Sequence, residues 1–190
     1  MKLWLDLLRH GETERGGGFR GSLDDALTPA GWASLEAAVD GQGPWDGIVT
    51  SPLQRCAAFA CALAQRLELP CTTVPGLSEL HFGEWEGRSA ADLMVDQAKA
   101  LGRFWQDPFA YTPPGGEPLV AFKARIDSAL AALVEEHPGQ RLLVVSHAGV
   151  MRLLLARARG LPDNDLLQVE VAHGALHRVA ITDAGALVAL

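Results

Sequence analysis

The chain has 190 residues, 48% of them hydrophobic and 21% charged, with a formal net charge of −7. That length suits one domain around one substantial core, and that composition excludes a disordered chain. The acidic balance excludes the broad basic surface that nucleic acid requires, and no apolar run approaches a membrane span. Neither nucleic acid nor membrane is therefore an expected partner. Cys56, Cys61 and Cys71 have neither CxxC spacing nor an even count, which points away from zinc and disulfides and toward a reducing cytoplasm.

Residues 2 to 8, KLWLDLL, form an apolar run suited to a buried strand, and the glycine-rich ERGGGFRG that follows Arg9 and His10 is a loop. In LTPAGWASLEAAV, Thr28 is placed as N-cap and Pro29 as first helical residue, predicting a helix over about 29–39. WDGIVT predicts a strand ending near Thr50. The next helix is expected to take Ser51 as cap and Pro52 in its first turn, with Leu53, Ala57, Ala60, Leu63 and Leu67 along one face. CTTV is a further candidate strand.

The stretch from about 86 to 117 is the least regular and ends in a Pro/Gly cluster, so it reads as an excursion from the sheet. Trp85 and the aromatics of RFWQDPFAY serve there as core or as substrate wall. Apolar residues at 119, 122, 126, 130 and 133 predict an amphipathic helix. RLLVVS then reads as a strand, HAGVMRLLLARARG as a helix, and LLQVEVAH with ALHRVAIT as two strands joined at Gly174. The alternation predicts a single α/β domain over 1–190, a three-layer α/β/α arrangement with a mostly parallel sheet.

Ligands bind such sheets beyond the carboxyl ends of the strands. Three polar motifs fall there: Arg9-His10, Ser51 to Arg55, and Ser146-His147. Guanidinium forks match phosphate oxygens, and the helices opening at Pro52 and after His147 are expected to aim free N–H groups at the same anion. A neutral imidazole is a good nucleophile when its second nitrogen is fixed, so His10 is the candidate to attack phosphorus. Arg9, Arg55 and His147 would bind the phosphoryl oxygens, with His147 also catalytic, and Glu79 in LSELHFGEWEG is the candidate general acid. Among His81, His137, His173 and His177, only His81 is expected to approach this pocket. No metal-ligand cluster is present in the sequence, so no metal and no cofactor is expected.

With LLRHGET, SPLQRC, LSELHFGEWEG and VVSHAGV in this order, the chain resembles the histidine phosphatase superfamily, also called phosphoglycerate-mutase-like. The resemblance implies that family's mixed, mostly parallel sheet, a phosphohistidine on His10, a phosphate pocket of Arg9, Arg55 and His147, and Glu79 as the acid. The substrate class it implies is a small phosphorylated metabolite. KLWLDLLRHGET, LHFGEWEGRSAADLM and RGLPDNDLLQVEV are similar to the α-ribazole phosphatases within that family. The family's frequent asparagine after RHGET is replaced here by Gly16, and Arg20, beside Gly21, adds a charge at the rim; both are candidate substrate-binding residues. Other sugar or phosphoglycerate phosphatases, a mutase, and a catalytically weak phosphate-binding chain stay open as alternatives, and a homodimer is compatible with the sequence.

Overall fold

A computed structural model describes residues 2–190. Six strands form one sheet in the order β3-β2-β4-β1-β5-β6, where β1 is Leu3–Arg9, β2 Gly47–Thr50, β3 Cys71–Thr73, β4 Arg141–Ser146, β5 Leu176–Ile181 and β6 Leu187–Ala189. The four strands from β3 to β1 are mutually parallel, and β5 and β6 add an antiparallel edge. The α-helices are α1 (Pro29–Val39), α2 (Gln54–Leu67), α3 (Ala90–Asp96), α4 (Ala98–Gln106), α5 (Leu119–Glu136) and α6 (Ala148–Ala158).

Successive strand residues point to opposite faces, and two cores result. Leu5 and Leu7 of β1 and Val144 of β4 pack with Phe122, Ile126 and Met151 from α5 and α6. Leu8, Leu143 and Val145 pack on the other face with Leu35, Phe59 and Leu63 from α1 and α2. This is the expected three-layer arrangement. Among the described residues no helix is long and apolar enough to cross a membrane.

Helix α1 begins as its sequence predicts: Thr28 Oγ1 accepts the Gly31 N–H at 2.9 Å, with Pro29 at the first position. Helix α2 does not. It starts at Gln54: Ser51 Oγ, bound to His147, accepts the Leu53 N–H at 3.3 Å, and the first-turn Gln54 N–H is taken by Asp24 Oδ1 at 2.6 Å. Its buried face runs through Cys56, Phe59, Ala60, Leu63 and Ala64, and Leu67 is exposed, so the predicted face is rotated by about a residue.

The C-terminal expectation is also corrected. The predicted strand at 166–173 is not one: Leu166–Gln168 end a 3₁₀ helix, Asp163–Gln168, and residues 169–173 are in no strand. Strand β5 pairs instead with β6, which the chain reaches through a turn closed by Thr182 N–H to Ala186 O at 2.9 Å. The excursion carries α3 and α4, α3 opened by a capping box between Ser89 and Asp92. Trp85 anchors it: the indole is fully buried, meets Phe19 and Phe104 at ring distances of 5.6 Å each, and donates to Gln97 Oε1 at 2.7 Å. Trp85 and Phe104 are thus core, whereas Trp105 is half exposed.

Candidate active site

Parallel pairing aligns the ends of β1, β4 and β2, with Arg9 opposite Ser146 and Thr50 opposite Val145. The register continues one step past the strands: His10 N–H donates to Ser146 O at 3.0 Å, and Ser51 N–H to Val145 O at 3.1 Å. His10, His147 and Ser51 therefore meet beyond the sheet.

The His10 ring is 4% exposed and its Nδ1 lies 2.8 Å from the Gly11 carbonyl oxygen. A carbonyl only accepts, so Nδ1 carries the proton and Nε2 keeps its lone pair. Burial first, and then the charge of Arg55, hold the His10 pKa well below the ordinary 6.5, overcoming the opposite pull of the Gly11 hydrogen bond. Gly11 itself is forced by packing, since a Cβ there would stand 2.2 Å from Gly31 O in the first turn of α1.

His147 packs edge-on to His10, ring centroids 5.3 Å apart, and has no exposure. Arg55 Nε donates to its Nδ1 at 3.3 Å, which leaves the proton on Nε2 for Ser51 Oγ at 2.7 Å. Burial, followed by Arg55, lowers this pKa well below 6.5 too. Arg55 is fully buried and donates through Nη2 to Gly21 O at 2.8 Å and through Nη1 to Leu23 O. Asp25 lies between two cations, 3.8 Å from Arg55 Nη1 and 3.3 Å from Arg20 Nε.

Above this layer lies a cleft of about 330 Å³. Arg9, His10, Arg20, Glu79, Arg152 and His173 give it polar side chains, Phe19, Phe82, Ala90 and Ala148 an apolar wall, and Gly16 to Gly18 a rim. Arg9 donates to Val171 O at 2.6 Å and to His173 Nε2 at 2.9 Å. Burial, then Arg9, lowers the His173 pKa, and its ring lies 5.4 Å from that of His10. Both Glu79 oxygens accept the Gly149 N–H at 3.1 Å, and Oε1 accepts that of Leu80 at 2.9 Å. Glycine at 149 leaves room for that carboxylate, since a Cβ would stand 2.2 Å from Glu79 Oε1 and displace it. A larger groove of about 630 Å³ between α1 and α2 is lined by Val39, Trp45, Leu63 and the paired Glu36 and Arg66, and none of the strand-end residues reaches it.

The cleft brings Arg9, His10, Glu79 and Arg20 together as the sequence suggests, and it changes the place of the others. Arg55 and His147 are fully buried under His10 and do not line the cleft. The Gly149 and Gln54 N–H groups at the starts of α6 and α2 serve Glu79 and Asp24 instead of pointing free at an anion. Gly21 is off the cleft lining: with φ at 47° and a Cβ position 1.9 Å from Glu86 Oε1, it is a backbone position that holds Arg55. Arg20 lines the cleft while its Nη2 donates to Gly16 O and, at 3.3 Å, to Gly17 O, so it also ties the glycine rim down. The Gly16 N–H is taken by Thr13 O at 3.0 Å.

His81 stays outside the lining, 3.7 Å from Glu86, and His173 takes the position it was expected to fill. Arg152 was readable: it follows Ala148 by four residues on α6, and both face the cleft. His173 carried no local signal, because it arrives only through the antiparallel pairing of β5 with β1.

Fold and site together define a phosphatase. The sequence matches the histidine phosphatase superfamily (branch 1) over residues 5–190, and the chain belongs to that family. It is 34% identical over 179 residues to the adenosylcobalamin/α-ribazole phosphatase of Escherichia coli (strain K12), across 92% of this chain and 87% of that one. The crystal structure of the α-ribazole phosphatase from Shigella flexneri superposes with a TM-score of 0.84 at 31% identity, covering 100% of this chain and 95% of the other. The mycobacterial glucosyl-3-phosphoglycerate phosphatase with inorganic phosphate gives 0.84 at 27% identity, covering 99% and 94%.

Proposed function

We propose that the chain is a metal-independent phosphomonoesterase that works through a phosphohistidine on His10. Its substrate is α-ribazole 5′-phosphate, dephosphorylated in assembly of the cobalamin lower loop in the cytoplasm. The observation that carries the mechanism is the tautomer of His10: Nδ1–H is bound to Gly11 O, so Nε2 is the basic nitrogen. The depressed pKa keeps it neutral and nucleophilic at pH 7.

The phosphate dianion is drawn by Arg9 and Arg152 at the cleft surface and by the Arg55 cation beneath His10. Nε2 attacks phosphorus in line as the bond to the ester oxygen breaks, and Glu79, as general acid, passes a proton to that oxygen. The phosphoimidazolium keeps Nδ1–H on Gly11 O, which stabilises its positive charge. Water then attacks phosphorus and Glu79 takes a proton from it. The P–N bond breaks, and inorganic phosphate and neutral His10 are restored. Phe19, Phe82 and Ala90 offer an apolar wall to the benzimidazole base of α-ribazole.

The test is a kcat/KM panel in chelator, comparing α-ribazole 5′-phosphate, phosphoglycerates, sugar phosphates and a phosphopeptide, with trapping of phosphate on His10. The expected result is a preference for the first of about 10²-fold or more, equivalent to about 2.7 kcal/mol. A flat panel removes the substrate assignment, and turnover without phosphohistidine removes the mechanism.

A further inference from the structure

Glu79 sits in a segment, residues 75–81, whose regular structure is a single 3₁₀ turn at Pro75–Leu77. One side chain of α5 holds it. Arg125 Nη1 donates to the carbonyl oxygens of Gly76 at 2.9 Å and Ser78 at 2.7 Å, and Nη2 donates to the carbonyl of Glu79 itself at 2.9 Å. Nε and Nη2 also reach the Glu117 carboxylate at 2.8 and 2.9 Å. All five N–H groups of the guanidinium are thereby used, three of them on backbone carbonyls within the four residues that end at Glu79.

Glu117 closes the clamp from the other side. Its own N–H donates to His81 O at 2.8 Å, so the segment is gripped at 76, 78 and 79 by Arg125 and at 81 by Glu117. The segment seats tightly on α5: a Cβ on Gly76 would lie 3.0 Å from both Ala129 Cβ and Arg125 O. The guanidinium carbon lies 4.7 Å from the centre of the Phe122 ring, which fixes its plane further. Arg125 is not part of the cleft lining, so it does not meet the substrate and bears on Glu79 through the backbone it holds.

We propose that Arg125, backed by Glu117, is the positioning residue that sets the proton-transfer geometry of Glu79, an inference that rests on the reading of Glu79 as the proton donor. Proton transfer needs heavy atoms within about 2.6–3.2 Å, and a misplacement of about 1 Å costs on the order of 10²-fold. Lysine in place of Arg125 keeps the charge beside Glu117 but offers one nitrogen where the backbone needs three separate contacts.

The test compares ribose 5-phosphate, whose leaving group needs a proton, with p-nitrophenyl phosphate, whose leaving group scarcely does. Glu79→Gln is expected to lose about 10²-fold or more in kcat on the first and far less on the second. Arg125→Lys is expected to lose about tenfold on ribose 5-phosphate and about twofold or less on p-nitrophenyl phosphate, with KM unchanged. Placed in the Glu79→Gln background, it should add no further selective loss, because the group it positions is gone.

Equal losses on both esters from Arg125→Lys, or a selective loss that persists without Glu79, would overturn the positioning role while Glu79→Gln still discriminates. If Glu79→Gln itself fails to discriminate, the acid assignment falls and the inference falls with it. Circular dichroism checks the fold of each variant, and if Arg125→Lys does not fold, Glu117→Gln carries the same comparison with the same selective pattern expected.

Discussion

His10 and Phe19 face the same cleft, yet they are held by different kinds of structure. The floor consists of His10, Arg55 and His147, exposed by 4% or less and fixed by strand register, backbone carbonyls and one another. The wall consists of loops: the glycine rim, Phe19, Phe82 and the start of α3, joined to the rest by an aromatic cluster around Trp85. Register between strands cannot shift without unfolding the sheet, whereas a loop wall can be recut by a few substitutions. The floor is therefore suited to constant chemistry and the wall to choice of substrate.

The largest effect is expected at the floor. His10→Ala should lower kcat/KM by about 10⁴-fold or more and abolish acid-labile phosphoprotein, read by quenched-flow trapping with labelled substrate. The wall should break through stability. Trp85→Ala removes a fully buried indole that touches Phe19, Phe104 and Tyr111, and should cost about 3–5 kcal/mol in urea unfolding. Its signature is a loss of selectivity among esters at temperatures where the floor still turns over p-nitrophenyl phosphate. Selectivity that survives Trp85→Ala in a folded protein would refute the division.

The two regions also differ in how far they can be read from sequence. The floor is legible because Arg9-His10, Arg55 and Ser146-His147 each sit at the end of a strand or the start of a helix with a local pattern of its own. What stays hidden is whatever depends on a partner distant in the chain. Asp24, 30 residues before Gln54, replaces Ser51 at the start of α2. His173 needs the register that sets Leu8 against Leu176. Gly149 takes up Glu79 across 70 residues. Part of the wall is nonetheless written locally: Ser89 and Asp92 form a capping box, a start signal for α3.

Acid should find the floor next. Burial and the neighbouring Arg55 hold both His10 and His147 well below 6.5 in the folded chain. In the unfolded chain they titrate near that ordinary value. Above it neither state binds the protons and stability is flat with respect to these groups. As pH falls below it, the unfolded chain takes up protons that the folded chain refuses, so stability declines toward the folded pKa values. His173 and His177 are lowered as well and add in the same direction. The urea midpoint should therefore drop between pH 7.5 and 5.5, with a shallower drop for His147→Asn. An equal slope in that variant would show that the floor imidazoles do not carry the effect.

The smallest expected effect sharpens the comparison most, because it moves the wall without touching the floor. Gly16, where the family pattern often has asparagine, has φ at 70° and nothing within 4 Å of a Cβ. Among L-residues asparagine is one of the few that enter this left-handed region readily, so Gly16→Asn should fold normally. One added hydrogen bond to phosphate contributes about 0.5–1.5 kcal/mol, which is about 2- to 13-fold tighter inhibition by inorganic phosphate. The same residue two positions on should do the reverse: at Gly18, φ is 124° and a Cβ would stand 2.8 Å from Arg88 O, the carbonyl that accepts the Phe19 N–H. Gly18→Asn should push the rim away from the 82–89 loop and weaken both phosphate binding and ester selectivity. If instead both substitutions leave phosphate inhibition unchanged, the rim does not touch the phosphate at all, and the anion is held by the floor, Arg9 and Arg152 alone.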